Sequence, residues 1–150
     1  MLLDGVNHIG LITDDIDRFI EFYTGVFDAV VGRQVDMPEG RLTFVDIGPK
    51  NELNVFSGNV PTVTRGSMFT HGPIDHIGFQ AKDKAAFDEI RRRLMARGAT
   101  DGFVTDFGVA LSCFFVDPDG LECEVLLYLT RENEALPPGT PAAGYEIGVP

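Results

Sequence analysis

The feature that most constrains this 150-residue chain is an internal repeat. Asn7-His8-Ile9-Gly10-Leu11 returns as Asp75-His76-Ile77-Gly78-Phe79, 68 positions later. At the same offset Asp15 answers Asp83, Phe19 answers Phe87 and Glu21 answers Glu89. Further on, Phe44-Val45-Asp46 answers Phe115-Val116-Asp117, and Glu52 answers Glu124, so the offset grows by three to four residues. A repeat of this period marks two copies of one supersecondary unit of about 55–60 residues, followed by a tail.

Each copy reads alike. VNHIGLIT alternates apolar and polar residues, which predicts a strand. A helix follows, capped by Thr13 or Asp14, with Ile16, Phe19, Ile20, Tyr23 and Phe27 as its apolar stripe. Three strands are predicted over 29–36, 41–47 and 52–57, separated by turns at 37–40 and 48–51. The second copy predicts a strand over 74–81 and a helix over 83–97. Phe87, Ile90 and Leu94 face inward there, and Gly98 ends the helix. Strands near 102–106, 109–117 and 121–129 follow. Asp117-Pro118-Asp119-Gly120 turns the last pair, because proline presets φ and glycine accepts φ > 0. The units are thus 4–58 and 73–129, one domain over 1–129. Residues 59–72 are a linker, and 130–150 is an extended arm or disordered tail.

Charge excludes whole classes of partner. Twelve basic and 23 acidic residues give a net −11, which repels nucleic-acid phosphates and anionic lipid. No apolar run reaches the ~18–20 residues of a membrane span, and the start of the chain shows no signal-peptide pattern. Cys113 and Cys123 are too few for a disulfide framework, so a reducing cytoplasm is the expected compartment and both thiols read as core residues.

The doubled β-α-β-β-β unit has a histidine in its first strand and a glutamate in its last. With the stretches VNHIGLITDDIDRFIEFYTGVF, PIDHIGF and FFVDPDGLECEVL, it resembles the vicinal oxygen chelate superfamily. That group includes glyoxalase I, epimerases, extradiol dioxygenases, fosfomycin-resistance transferases and bleomycin-resistance proteins. The resemblance implies an α+β fold whose tandem units curve a mixed sheet around a cleft. It implies metal ligands at His8, His76 and Glu124, with Glu52 as the favoured fourth ligand and Asn54 as the alternative. Leu53 and Val55 read as the helix-facing side of their strand, which leaves Glu52, Asn54 and Phe56 on the other face. Phe44, Phe56, Phe103, Phe107 and Phe115 are candidate substrate-binding rings beside Asn54. Glu122 reads as a rim charge, and His71 has no counterpart in the first copy.

Two imidazoles with one or two carboxylates suit Zn, Ni, Co, Mn or Fe(II). With Glu52 and Glu124 as catalytic carboxylates, the implied activity is a lyase or isomerase moving a proton next to a metal-chelated carbonyl of a small, fairly apolar substrate. Two other functions are implied by the same resemblance: an Fe(II) dioxygenase of the extradiol type, and a metal-free protein sequestering an aromatic antibiotic. The expected assembly is a homodimer, with Tyr145 and Ile147 of the tail anchoring on the partner.

Overall fold

The computed structural model describes residues 6–58, 74, 76–106 and 110–128, and the backbone of 143–145. Phe107, His71 and most of the linker and tail readings lie outside the described residues. The chain divides into two compact units, Met1–Thr64 and Arg65–Pro150, at a boundary inside the stretch read as a linker.

Unit 1 runs β1 (His8–Thr13), α1 (Ile16–Phe27), β2 (Val30–Met37), β3 (Gly40–Gly48) and β4 (Asn51–Gly58). Its sheet has the order β1-β4-β3-β2, with β1 parallel to β4 and the other pairs antiparallel. Asp15 caps α1 by accepting the backbone N–H of Arg18, where the sequence pointed to Thr13 or Asp14. Thr13 instead accepts the N–H of Asp15 one step earlier. The buried side of α1 is Phe19, Phe22, Tyr23 and Val26, a spacing of three, four and seven. Phe22 and Val26 join the expected stripe, whose Ile16, Ile20 and Phe27 are half-buried, with Phe27 in ring contact with Phe22 and Tyr23. The cause is aromatic packing: Phe19 stacks on Tyr23 at 4.3 Å between centroids, and Phe22 meets Tyr23 edge-on at 5.4 Å. Leu11, Thr13, Thr43, Val45, Leu53 and Val55 form the buried face of the sheet. Each fully buried aliphatic side chain there stabilises the fold by about 1.5–3 kcal/mol.

Unit 2 runs β5 (Ile77–Gln80), α2 (Lys84–Ala96), β6 (Val104–Asp106), β7 (Ala110–Val116), β8 (Glu122–Tyr128) and β9 (Ala143–Tyr145). Its sheet has the order β5-β8-β7-β6-β9, with β5 parallel to β8. Asp83 caps α2 through the N–H of Ala86, and Gly98 at φ 67° follows its end. Phe87 and Leu94 are fully buried on α2, while Ile90 is half-buried. Cys113, Phe115, Cys123 and Val125 form the buried face of this sheet. Burial pushes the Cys113 thiol pKa up, which suits a packed core sulfur. Cys113 stands opposite Val125 and Cys123 opposite Phe115, so the hairpin register does not set the two thiols against each other. β9 pairs with β6, so this stretch of the tail adds a fifth strand to the sheet of its own unit. On the outer side of α2, Arg92 and then Arg93 hydrogen-bond Glu89 and hold its carboxyl down to about 2. Arg91 donates to the carbonyl of Gly102. Among the described residues, no helix is long and apolar enough to cross a membrane.

Candidate functional site

Strand alternation gives each sheet a second face, opposite the buried one, and several of the predicted site residues lie there. In unit 1 the pairing sets three rows across the sheet. His8, Glu52 and Asp46 share one row. Gly10, Asn54 and Phe44 share the next, and Ile12, Phe56 and Leu42 the third. Paired residues project to the same side, so His8, Glu52, Asn54, Phe44 and Phe56 lie on one face. Leu53 and Val55 are fully buried on the other, as the alternation in NELNVF predicts.

The chemistry of this face is mixed. His8 is exposed, and its Nδ1 lies 2.9 Å from Asn7 Oδ1. Glu52 is half-buried beside it. Phe44 is buried, and the Arg33 guanidinium sits 4.2 Å above its ring centroid. Asn54 Oδ1 is buried with no hydrogen-bond partner. A buried amide oxygen left unpaired costs about 1–3 kcal/mol. Such an atom is a donor available to a cation or to a substrate proton. Beside it, a side chain added at Gly10 would meet no described residue within 4 Å.

Unit 2 repeats the layout with more polar anchoring. Gly78, Glu124 and Phe114 share a row, and Ser112 and Leu126 share the next with Gln80. Glu124 is only 7% exposed although it carries a carboxylate. Burial of that kind needs partners. The Ser112 hydroxyl donates to Glu124 Oε1, and Glu124 Oε2 lies 3.6 Å from His76 Nε2. The His76 ring meets Phe114 edge-on, with centroids 5.9 Å apart. His76 immediately precedes β5 rather than lying within the predicted strand.

The two registers change the repeat alignment. Gly10 faces Asn54 in unit 1, and Gly78 faces Glu124 in unit 2. Asn54 is therefore the counterpart of Glu124, and Glu52 is the counterpart of Glu122. Likewise Phe44 corresponds to Phe114, since each pairs with the residue just named. The sequence pairing of Glu52 with Glu124, and of Phe44 with Phe115, is displaced by two residues and by one. Matching letters concealed this, because the strand pairs at E-x-N and E-x-E look interchangeable until hydrogen bonding sets the register.

The substrate-ring candidates separate on the same basis. Phe44 and Phe56 lie on the open face of unit 1. Phe115 lies on the buried face of unit 2, opposite Cys123 and 6.2 Å from the Phe79 ring centroid. Phe114 occupies the place expected for it. Phe103 is exposed and precedes β6. Ser112 and Phe114 were missed by sequence reasoning. Counting alternate residues back from Val116, which pairs with Glu122, reaches both once the hairpin register is known.

Imidazole, carboxylate and amide oxygen together form a donor set that fits a divalent cation. Among the described residues, no three His, Cys, Asp or Glu side chains form a metal-binding group. Within unit 1, His8 shares its face with Glu52 and Asn54; within unit 2, His76 stands beside Glu124.

Comparison with known proteins follows this geometry. The family described as the Glyoxalase/Bleomycin resistance protein/Dioxygenase superfamily matches residues 5–125. No curated protein matches the chain. Among solved structures, a glyoxylase/bleomycin resistance protein/dioxygenase domain from Frankia sp. EAN1pec superposes with a TM-score of 0.71 at 20% identity. That alignment covers 84% of this chain and 98% of the other. The fosfomycin resistance protein FosX from Listeria monocytogenes gives 0.62 at 21% identity, over 84% and 94% of the two chains. Lactoylglutathione lyase from Agrobacterium tumefaciens gives 0.59 at 23% identity, over 85% and 96%. At these identities the likeness is one of fold.

Proposed function

We propose, from the premise that the chain belongs to the glyoxalase/bleomycin resistance protein/dioxygenase superfamily, that it is a metal-dependent lyase or isomerase. It would move a proton next to a carbonyl of a small, fairly apolar substrate. His8, Asn54, His76 and Glu124 are the proposed metal donors. The observation that carries this reading is the pairing of a buried, hydroxyl-anchored Glu124 with His76, matched in unit 1 by an amide oxygen that has no partner.

A bound divalent cation supplies a Lewis acid for adjacent substrate oxygens, which acidifies the neighbouring C–H. Glu52 is the proposed general base. It sits one row from Asn54 and beside His8, on the same face. Since Asn54 is the counterpart of Glu124, Glu52 is left free to accept and return a proton. Phe44 and Phe56 offer apolar surface next to it, with the Arg33 guanidinium over the Phe44 ring. The proposed assembly is a homodimer.

Proton exchange tests the reaction without a known substrate. A panel of α-hydroxycarbonyl compounds, incubated in D2O with Zn-, Ni- or Co-loaded protein, should show catalysed exchange at the α-carbon by NMR. Glu52→Gln should slow it by ~10²–10⁴. Turnover that requires Fe(II) and O₂, with a mild Glu52→Gln variant, would establish the dioxygenase function instead. Tight binding of aromatic compounds by chelator-treated protein, with no exchange, would establish sequestration.

A further inference from the structure

Glu124 differs from every other carboxylate in the two clusters in having one oxygen tied down. Its Oε1 accepts the Ser112 hydroxyl proton, while Oε2 faces His76 Nε2 at 3.6 Å, beyond hydrogen-bond length. Ser112 is itself fully buried, so its hydroxyl has no water to turn to. Gly78 lies across from it: a Cβ added there would come into ordinary contact with Oε2 at 3.5 Å and within 3.0 Å of Leu126 Cδ1.

The repeat supplies an internal comparison. Ser112 pairs with Leu126, one step along from the Glu124 row, and in unit 1 the same step brings Leu42 opposite Phe56. A hydroxyl therefore stands beside the carboxylate and an alkyl chain stands beside the amide. The chemistry explains the difference. An amide has a single oxygen to offer, so no partner is needed to select it. A carboxylate has two equivalent oxygens and can rotate or bind through both.

We propose that Ser112 is a positioning residue that anchors Glu124 Oε1, so that the carboxylate offers only Oε2 to a cation shared with His76. The inference rests on the metal-binding reading above and goes beyond it, assigning a one-oxygen binding mode and the residue that imposes it. Partners behind a metal ligand of this kind are worth 10–100-fold in affinity, as an order of magnitude.

Titration of the full chain with Co²⁺, followed by calorimetry and by the visible d–d bands, tests it. Ser112→Ala should bind Co²⁺ roughly 10–100-fold more weakly, and its bands should shift as the second oxygen joins the coordination. Infrared difference spectra should show the separation of the two carboxylate stretches narrowing, as for a two-oxygen ligand. Ser112→Thr, which keeps the hydroxyl, should restore wild-type affinity and bands, and Ser112→Cys, with its weak donor, should fall between. If Ser112→Ala does not fold, the Thr and Cys variants carry the comparison. Wild-type affinity and unchanged spectra in Ser112→Ala, or in Ser112→Cys where Ala fails to fold, overturn the positioning role while leaving the metal reading intact. A wild-type chain that takes up no Co²⁺, or a His76→Ala variant that binds it equally well, overturns both.

Discussion

Asn54 sets stability against its proposed role as a metal donor. Its Oδ1 is buried and unpaired, a condition that destabilises the metal-free protein and that an apolar side chain of similar size would relieve. Asn54→Leu is therefore expected to stabilise the metal-free protein by about 1 kcal/mol, measured by urea denaturation. The same change should weaken Co²⁺ binding, because the oxygen is removed. A variant that loses stability, or that binds Co²⁺ like wild type, removes Asn54 from the proposed donor set. Asn54→Asp separates the effects further: it keeps an oxygen at the position and should retain binding.

At the scale of the element, the β7–β8 hairpin decides which side chains reach the site. Asp117 is buried at the turn, and its Oδ1 accepts the backbone N–H groups of Asp119 at 2.9 Å and Leu121 at 2.7 Å. Gly120 takes φ 78°, where a side chain would be strained. These contacts set Val116 opposite Glu122, and hence Phe114 opposite Glu124 and Ser112 one pair further on. Asp117→Ala should destabilise the protein by about 3 kcal/mol, the scale of hydrogen bonds to a buried carboxylate. Asp117→Asn retains an acceptor oxygen and should cost clearly less. Denaturant midpoints for the two variants check the order. Equal losses would mean that packing, rather than the two accepted hydrogen bonds, holds the turn.

For the whole molecule, the metal reading predicts a change in stability. Both His8 and His76 are proposed metal donors, so each single substitution should abolish most of the metal-induced stabilisation. Binding to the folded state alone adds about 2.7 kcal/mol at a metal concentration of 100 times Kd. Thermal melts with and without Zn²⁺ should show that upward shift in wild type and little of it in either His8→Ala or His76→Ala. The metal-free variants should still fold, because the buried layers of both units are built from residues such as Leu53, Val55, Phe87 and Leu94. A metal-induced shift that survives in both variants would remove these histidines from the site.

The sequence by itself determined the doubled unit, the order of strands and helices through β8, and the face of β4 that bears Glu52, Asn54 and Phe56. These follow from local periodicity and from letters repeated at a constant offset, which need no knowledge of pairing partners. Through the resemblance its motifs carry, it also made His8, His76 and Glu124 candidate ligands. Tertiary structure alone decided what lies beside them. The side of α1 that is buried was chosen by packing between Phe19, Phe22 and Tyr23. That Asn54, and not Glu52, is the counterpart of Glu124 was chosen by hydrogen-bond register, as was the placing of Phe114 rather than Phe115 on the open face. A register step of one or two residues leaves composition and periodicity almost unchanged, yet it moves a side chain to the other face or to the next row. Only the paired backbone distinguishes those alternatives.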